Sequence, residues 1–427
     1  MQTAPLTVLD ELYLHLDREQ EPFSVHIEIR VEGRIDVTRL QAAVREAALA
    51  HPIARARLAH TRATDVRYRW EIVDELASVD LQEIECDSPA DLTHGRERLL
   101  SRTPDLDRPG PFSLLLAHDR RGDGLVMNLH HGAGDGLSAV RLMASIARAY
   151  SGEEDPVPDV DALDVRDVST GSVKERITRG RTALEYLPRW VTTPARIAQQ
   201  GHSNRPGYGF ELLSLKPEEV EQLLALRTGG ATVNDVLLAA LAVAVHRWNE
   251  QHGASSRPVY LMMPVNLRPA EWRFDVLGNF AAYVSVHLRS DDQKTLAAAI
   301  QATAASTRRI KNDGIAKYVV DFLTLPSVLP TGLKRHMQKL IPLTGNAVVD
   351  TAVLSNLGRL PPAPHLGDAG AIQEVWFSPP GRMPLGASLG VATLDGRMFL
   401  TLRYRHALFD ASAAAHFLAA FRSVRAS

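Results

Sequence analysis

One cysteine in 427 residues, Cys86, leaves no partner for an internal disulfide and no thiolate cage for a metal ion. That usage fits a reducing, cytoplasmic setting. No run of 18 apolar residues occurs, so no stretch suffices to span a bilayer. An excess of one charge is missing too. Lys and Arg number 48 and Asp and Glu 50, a net charge of −2, which argues against a broad nucleic-acid-binding face. The opening MQTAPLTVLDELYLHLD carries acids early and lacks an apolar core with a cleavage site, so no secretory signal is expected. What is present is a 45% hydrophobic and 23% charged composition, that of a soluble globular protein with a sizeable core. The length exceeds one ordinary domain, and two packed halves are expected.

Along the chain, strand and helix patterns alternate. SVHIEIRVEG (24–33) alternates as a strand, with Val25, Ile27, Ile29 and Val31 on one face. Asp36 then caps a helix whose stripe is Leu40, Ala43, Val44, Ala47 and Ala48. GLVMNLHHG (124–132) is a second strand and LSAVRLMASIARAY (137–150) the helix after it. From 151 the chain turns acidic and proline-bearing, which reads as a solvated crossover, with a further helix near 174–200. Alternation resumes at Phe210. The segment VNDVLLAALAVAVHRW (233–248) is apolar nearly all round and belongs inside the second half. These features divide the chain into an N-terminal lobe (1–152), a crossover (153–206) and a C-terminal lobe (207–427).

One internal repeat emerges. MFLTLRYRHALFDASAAAHFLAAF near the C-terminus follows the grammar of GLVMNLHHGAGDGLSAVRLMASI: a strand, His-x-x-x-Asp, a small residue, a helix. His406 aligns with His131 and Asp410 with Asp135. The second copy has Arg405 in place of the leading histidine and has lost the glycines, so it reads as a relic of duplication. Leu408 and Phe409 in its turn suggest packing. Two related halves with a cleft between them are expected.

Consecutive strand residues point to opposite faces, so His130 and His131 cannot easily share one metal ion, and no third ligand stands at a suitable spacing. Gly132, Gly134 and Gly136 allow a sharp strand-to-helix turn. Such a turn holds His131 at a strand end, where a ring with an unperturbed pKa near 6.5 can act as general base. Asp135 can fix the imidazole tautomer, or it can lock the turn by pairing with an arginine. The plainer alternative is a polar turn whose histidines satisfy backbone groups.

HHGAGDG resembles the His-His-x-x-x-Asp-Gly signature of the acyltransferase superfamily typified by chloramphenicol acetyltransferase. That superfamily includes peptide-synthetase condensation domains, polyketide-associated acyltransferases and wax ester synthase/diacylglycerol acyltransferases. PLTVLDELYLHLD, AHPIARARL (50–58) and LDRPGPFSLLL (106–116) resemble segments of the wax ester synthase branch, as do VNDVLLAAL (233–241), MPVNLRP (263–269), LGNF (277–280) and LSNLG (354–358). The resemblance implies an α/β fold of two chloramphenicol-acetyltransferase-like lobes with an active-site tunnel between them. It makes His131 the catalytic histidine and Asp135 a structural aspartate, paired with Arg55 or Arg268. His130 and Gly136 complete the motif. Asn234, Asn279, Ser355 and Asn356 fall on motif positions near the site, with Asn279 or Asn356 either a donor to the oxyanion or a buried amide that holds the lobes together.

The implied activity is acyl transfer from a thioester, on acyl-CoA or an acyl carrier protein, to the hydroxyl or amine of a small-molecule or lipid acceptor. No metal or cofactor is expected. Ala50, where many condensation domains have arginine, and the absence of attached carrier or adenylation modules favour stand-alone ester formation over assembly-line peptide synthesis. The alternatives are an amide-forming condensation enzyme served by free carrier proteins and a non-catalytic member of the superfamily. GRTALEYLPRWVTTPARI (180–197) and YVVDFLTLPSVLPTGL (318–333) are the segments for peripheral membrane contact, though packed helix explains both.

Overall fold

A computed structural model describes residues 2–169, 175, 193–337 and 349–424. The N-terminal half opens with β1 (Gln2–Pro5), α1 (Val8–Leu16), β2 (Ser24–Val31) and α2 (Val37–Ala50). Next come β3 (Ala56–Leu58), β4 (Arg69–Ile72), β5 (Leu81–Cys86) and α3 (Pro89–Leu99). It ends on β6 (Phe112–Asp119), β7 (Gly124–His130) and α4 (Gly136–Ser151). Asp36 caps α2 by accepting from the Arg39 N–H, and the expected stripe from Leu40 to Ala48 is the buried one.

After the crossover come β8 (Tyr208–Leu215), α5 (Pro217–Ala225), α6 (Val233–Gln251), β9 (Val259–Asn266) and β10 (Ala281–Leu288). Then follow α7 (Leu296–Asn312), α8 (Ile315–Leu323), α9 (Thr331–Met337) and β11 (Ala352–Arg359). The last elements are β12 (Ile372–Ser378), β13 (Ala387–Leu394), β14 (Arg397–Arg405) and α10 (Ala411–Val424). A Thr232–Asp235 capping box starts α6, which is buried almost throughout, as its all-round apolar sequence requires.

The strands form two large sheets, ordered β12-β2-β7-β6-β5 and β10-β9-β11-β13-β14-β8, and a small one, β1-β4-β3. Each large sheet has its own core: α2 and α4 cover the first, and α6, α7 and α10 cover the second. The lobes do not follow the expected division at 206 throughout. Strand β12, from the C-terminal half, pairs antiparallel with β2 and completes the N-lobe sheet. It reaches that position by lying across β13, where Gly390 has no side chain because the Phe377 carbonyl occupies the space a Cβ would need.

Most of the expected crossover helix, and of the 180–197 segment with Trp190, lies outside the described residues; residues 193–200 carry no helix. In 318–333 the expectation of packed helix holds for α8, with Ile315, Ala316 and Val320 buried. Beyond it Val328 and Leu333 stand exposed. Among the described residues no helix is long and apolar enough to cross a membrane.

Candidate active site

β7 ends at His130 in mid-interface, flanked by β2 and β6. The two histidines then diverge. His130 turns back on its own loop, its Nδ1 accepting from the Gly132 N–H at 2.9 Å, and burial pushes its pKa down to about 4 against the pull of Asp17. His131 faces the other lobe. Its backbone N–H donates to the Phe23 carbonyl at 3.3 Å. Its ring stacks on Tyr13 of α1 at 3.9 Å between centroids, with Phe23 at 5.5 Å. The Tyr283 hydroxyl on β10 lies 3.1 Å from His131 Nε2.

Burial lowers the His131 pKa to about 4, so the ring is neutral at pH 7. Its own carbonyl and the Asn279 side chain favour a proton on the ring but do not offset that burial. Nδ1 is buried with no hydrogen-bond partner. Nε2, the ring nitrogen in contact with the Tyr283 hydroxyl, is the one directed across the lobe interface.

Asp135 does not touch that ring by any hydrogen bond. It caps α4 through the Ser138 N–H and accepts two bonds from Arg268, Nη1 to Oδ2 and Nη2 to Oδ1, both 2.8 Å. The Phe280 N–H adds a third contact from the C-lobe at 3.0 Å. Burial would raise this carboxyl, but the Arg268 guanidinium and the two backbone N–H groups outweigh it and hold it below its usual range. Of the two arginines expected as partners, Arg268 is the one present. Arg55 instead donates to the carbonyls of Ala48, Val73 and Asp74 at the end of α2. A Cβ at Gly136 would meet the ends of the Phe377 and Leu357 side chains at 2.6 and 2.8 Å, so both would have to shift to admit one.

Of the two roles open to the asparagines, the hydrogen bonds of Asn279 fit the structural one. Asn279 is fully buried, and its Nδ2 donates to Asp10, the His131 carbonyl and the Gly132 carbonyl at 2.9, 2.8 and 3.1 Å. Both amide hydrogens are engaged, so Asn279 has none for an oxyanion and instead holds the histidine turn. Asn234 donates to Met263 Sδ at 2.8 Å. Met263 pairs with Val284 and so points away from the Tyr283 face of the sheet, which puts Asn234 behind it. Asn356 accepts the Gly358 N–H in its own strand. Ser355 shares a face of β11 with Leu357, which reaches the start of α4.

Several residues that build the site carry no motif. Asp10 is fully buried and gathers Arg166, Asn279 and Trp70, tying α1, the crossover and the 278–280 loop beneath His131. Tyr13 stacks on the ring, and Tyr283 contacts it through its hydroxyl. Tyr283 stands 152 residues from His131 in sequence, and its only trace there is alternation within β10.

The second His-x-x-x-Asp copy repeats the grammar. β14 leads into a turn and α10, and Asp410 accepts the Ala413 N–H at 2.7 Å as Asp135 accepts that of Ser138. Leu408 and Phe409 are packed away, and among the described residues Asp410 has no arginine partner.

A family model described as Condensation domain matches residues 12–319. An uncharacterized protein of Mycobacterium tuberculosis strain H37Rv is 38% identical over 398 residues, covering 91% of each chain. A hybrid PKS-NRPS synthetase of a Pyrenochaetopsis species is 26% identical over 247 residues, 54% of this chain and 6% of that one. Among solved structures, the first condensation domain of the CDA synthetase superposes with a TM-score of 0.71 at 16% identity, covering 100% and 97% of the two chains. The condensation domain of the Monacolin K polyketide synthase MokA gives 0.65 at 17% identity, covering 100% and 97%. These proteins lie in the superfamily that the histidine motif resembles; the likeness to the wax ester synthase branch rests on motifs alone. With two lobes, a histidine turn at their interface and a family match over most of its length, the chain belongs to the condensation-domain family.

Proposed function

We propose that the chain is an acyltransferase in which His131 is the general base. Members of the family are transferases that form amide or ester bonds between carrier-bound substrates. The finer reading is transfer of an acyl group from a thioester, on coenzyme A or a carrier protein, to the hydroxyl of a small-molecule or lipid acceptor in the cytoplasm. The observation that carries it is the neutral His131 ring with Nε2 directed across the lobe interface at the Tyr283 hydroxyl.

In this reading the acceptor O–H takes the place of the Tyr283 hydroxyl at Nε2. As that proton moves to Nε2, the acceptor oxygen attacks the thioester carbonyl and a C–O bond forms. The tetrahedral oxyanion then collapses, the C–S bond breaks, and His131 returns the proton to the leaving thiolate. The steps need no metal or redox cofactor. Asp135 and Asn279 act through position, fixing the turn that carries the ring.

His131→Ala is expected to lower turnover by about 10²–10⁴-fold with the fold intact. The check is product mass spectrometry with a panel of acyl thioesters and alcohol or amine acceptors. A folded variant with near-normal rates would remove the base assignment. A wild-type chain that accepts amines alone would establish the amide-forming alternative, which the match to condensation domains favours.

A further inference from the structure

The face of the C-lobe sheet turned away from His131 carries a cavity of its own. It opens between β9, the start of α6 and the junction of α7 with α8, and measures about 590 Å³, within the range that small-molecule sites occupy. Met263 and Val265 of β9 and Leu267 just after it form the floor, and Ala304, Ile310 and Ala316 line the walls. Met263 pairs with Val284, so this floor lies on the opposite side of the sheet from Tyr283 and the lobe interface.

The polar groups at the start of α6 are largely spent on one another. Asp235 accepts from the Thr232 N–H and from the Thr307 hydroxyl, both at 2.7 Å. Asn234 is the exception. One Nδ2 hydrogen goes to Met263 Sδ, a weak acceptor, and the rest of its amide has no partner among the described residues although it lines the cavity. A concave apolar surface open to water, with a few polar groups at its edge, marks a place where a ligand sits.

The rim carries three exposed cations, Arg308, Lys311 and Lys317. Lys311 has an account of its own, because a cation in the last turn of α7 complements the dipole of that helix. Lys317 has none. It stands in the first turn of α8, where the dipole disfavours a cation, and that turn holds no acidic residue. The acid at the α7–α8 junction, Asp313, engages Arg309 at 3.6 Å. Arg308 donates to the Gly229 carbonyl at 3.0 Å, a neutral acceptor. The chain therefore leaves positive charge open directly above an apolar floor.

We propose that this cavity binds a fatty acid, its alkyl chain laid along β9 and its carboxylate on the rim between Lys317 and Arg308. An uncharged chain leaves the rim unanswered, and a small anion leaves the floor wet; an amphiphile with a negative head meets both. The site is separate from the one at His131, and its occupancy does not depend on acyl transfer.

The test is calorimetric titration of the full chain, at low salt, with octanoate, decanoate, decyl phosphate and decyltrimethylammonium. Decanoate is expected to bind about tenfold tighter than octanoate, because two more methylenes leave water. Decyltrimethylammonium, the same chain with a cationic head, should bind far more weakly than decanoate. Lys317→Gln should weaken decanoate about threefold, and Lys317→Gln with Arg308→Gln about tenfold; both positions are exposed, so these variants keep the fold. Val265→Phe fills the floor and should weaken decanoate about tenfold or more; should it fail to fold, the rim variants still decide the matter. His131→Ala should bind decanoate as wild type does, which separates this site from the catalytic reading. Absence of decanoate binding, equal affinity for decanoate and decyltrimethylammonium, or affinity unchanged in the folded variants overturns the proposal. Decyl phosphate bound more than about tenfold tighter than decanoate assigns the cavity to a phosphate head and overturns the fatty acid as its occupant.

Discussion

Replacing Asp135 by asparagine separates two roles that a histidine and an aspartate four residues apart can play. Asparagine caps a helix about as well as aspartate, so the α4 cap survives the exchange. The charge opposite Arg268 does not. Arg268 is 7% exposed and its charged neighbour is Asp135, so the variant leaves a guanidinium buried without compensation. Breaking such a pair costs about 3–5 kcal/mol, against a total stability of about 5–15 kcal/mol for a typical domain. With a urea slope of about 3 kcal/mol per molar, the unfolding midpoint falls by about 1 M or more. Because the penalty belongs to the orphaned arginine, Asp135→Asn combined with Arg268→Met should recover much of it. The assay is equilibrium urea unfolding of the single and double variants beside turnover of each. A wild-type midpoint in Asp135→Asn with turnover abolished would refute this reasoning and restore a His–Asp relay.

In the proposed mechanism the Tyr283 hydroxyl donates to His131 Nε2, so Tyr283→Phe should raise the His131 pKa above about 4 by roughly half a unit or more, read by NMR titration; an unchanged or lower value contradicts that donor. Burial lowers the rings of His15, His26, His51, His130 and His131 from 6.5 to about 3–4. The unfolded chain therefore binds more protons than the folded one between those values, and stability falls as pH drops from about 6.5 towards 4; a thermal midpoint flat across that window speaks against the burial. His406→Ala should leave turnover within about twofold and lower the melting temperature modestly, since its turn is packed; a folded His406→Ala without turnover, beside an active His131→Ala, would reverse the assignment of the site.

The sequence carried the elements whose signals are local. The Asp36 cap, the alternation of 24–31 and the all-apolar helix at 233 need only near neighbours, and each formed where expected. His131, Asp135 and Gly136 were legible because three residue types with distinct chemistry crowd one turn. Arg268 was named only alongside Arg55, since a salt bridge spanning 133 residues leaves no spacing to read. Asn279 left two roles open, oxyanion donor or structural amide, for a different reason. A motif position tells that an amide is needed near the turn, but its hydrogen-bond partners, the His131 and Gly132 carbonyls and Asp10, come from three separate segments. Tyr13 and Tyr283 were invisible because an aromatic on a helix or strand face ordinarily signals packing.

The placement of β12 has a consequence for how the chain can be made. His26 on β2 meets Ser378 on β12 across 352 residues of sequence, so the N-lobe sheet stays unfinished until nearly the whole polypeptide has been synthesised. Until then β2 is an edge strand, with Val25, Ile27, Ile29 and Val31 on one face and a row of open N–H and C=O groups along its side. A nascent chain in that state invites strand addition by other chains, and a pairing this distant forms slowly. Fragments ending before residue 372 should accordingly aggregate instead of folding as a separate lobe. The same strand that delays the fold then ties the C-terminal half of the chain into the N-lobe sheet beside His131.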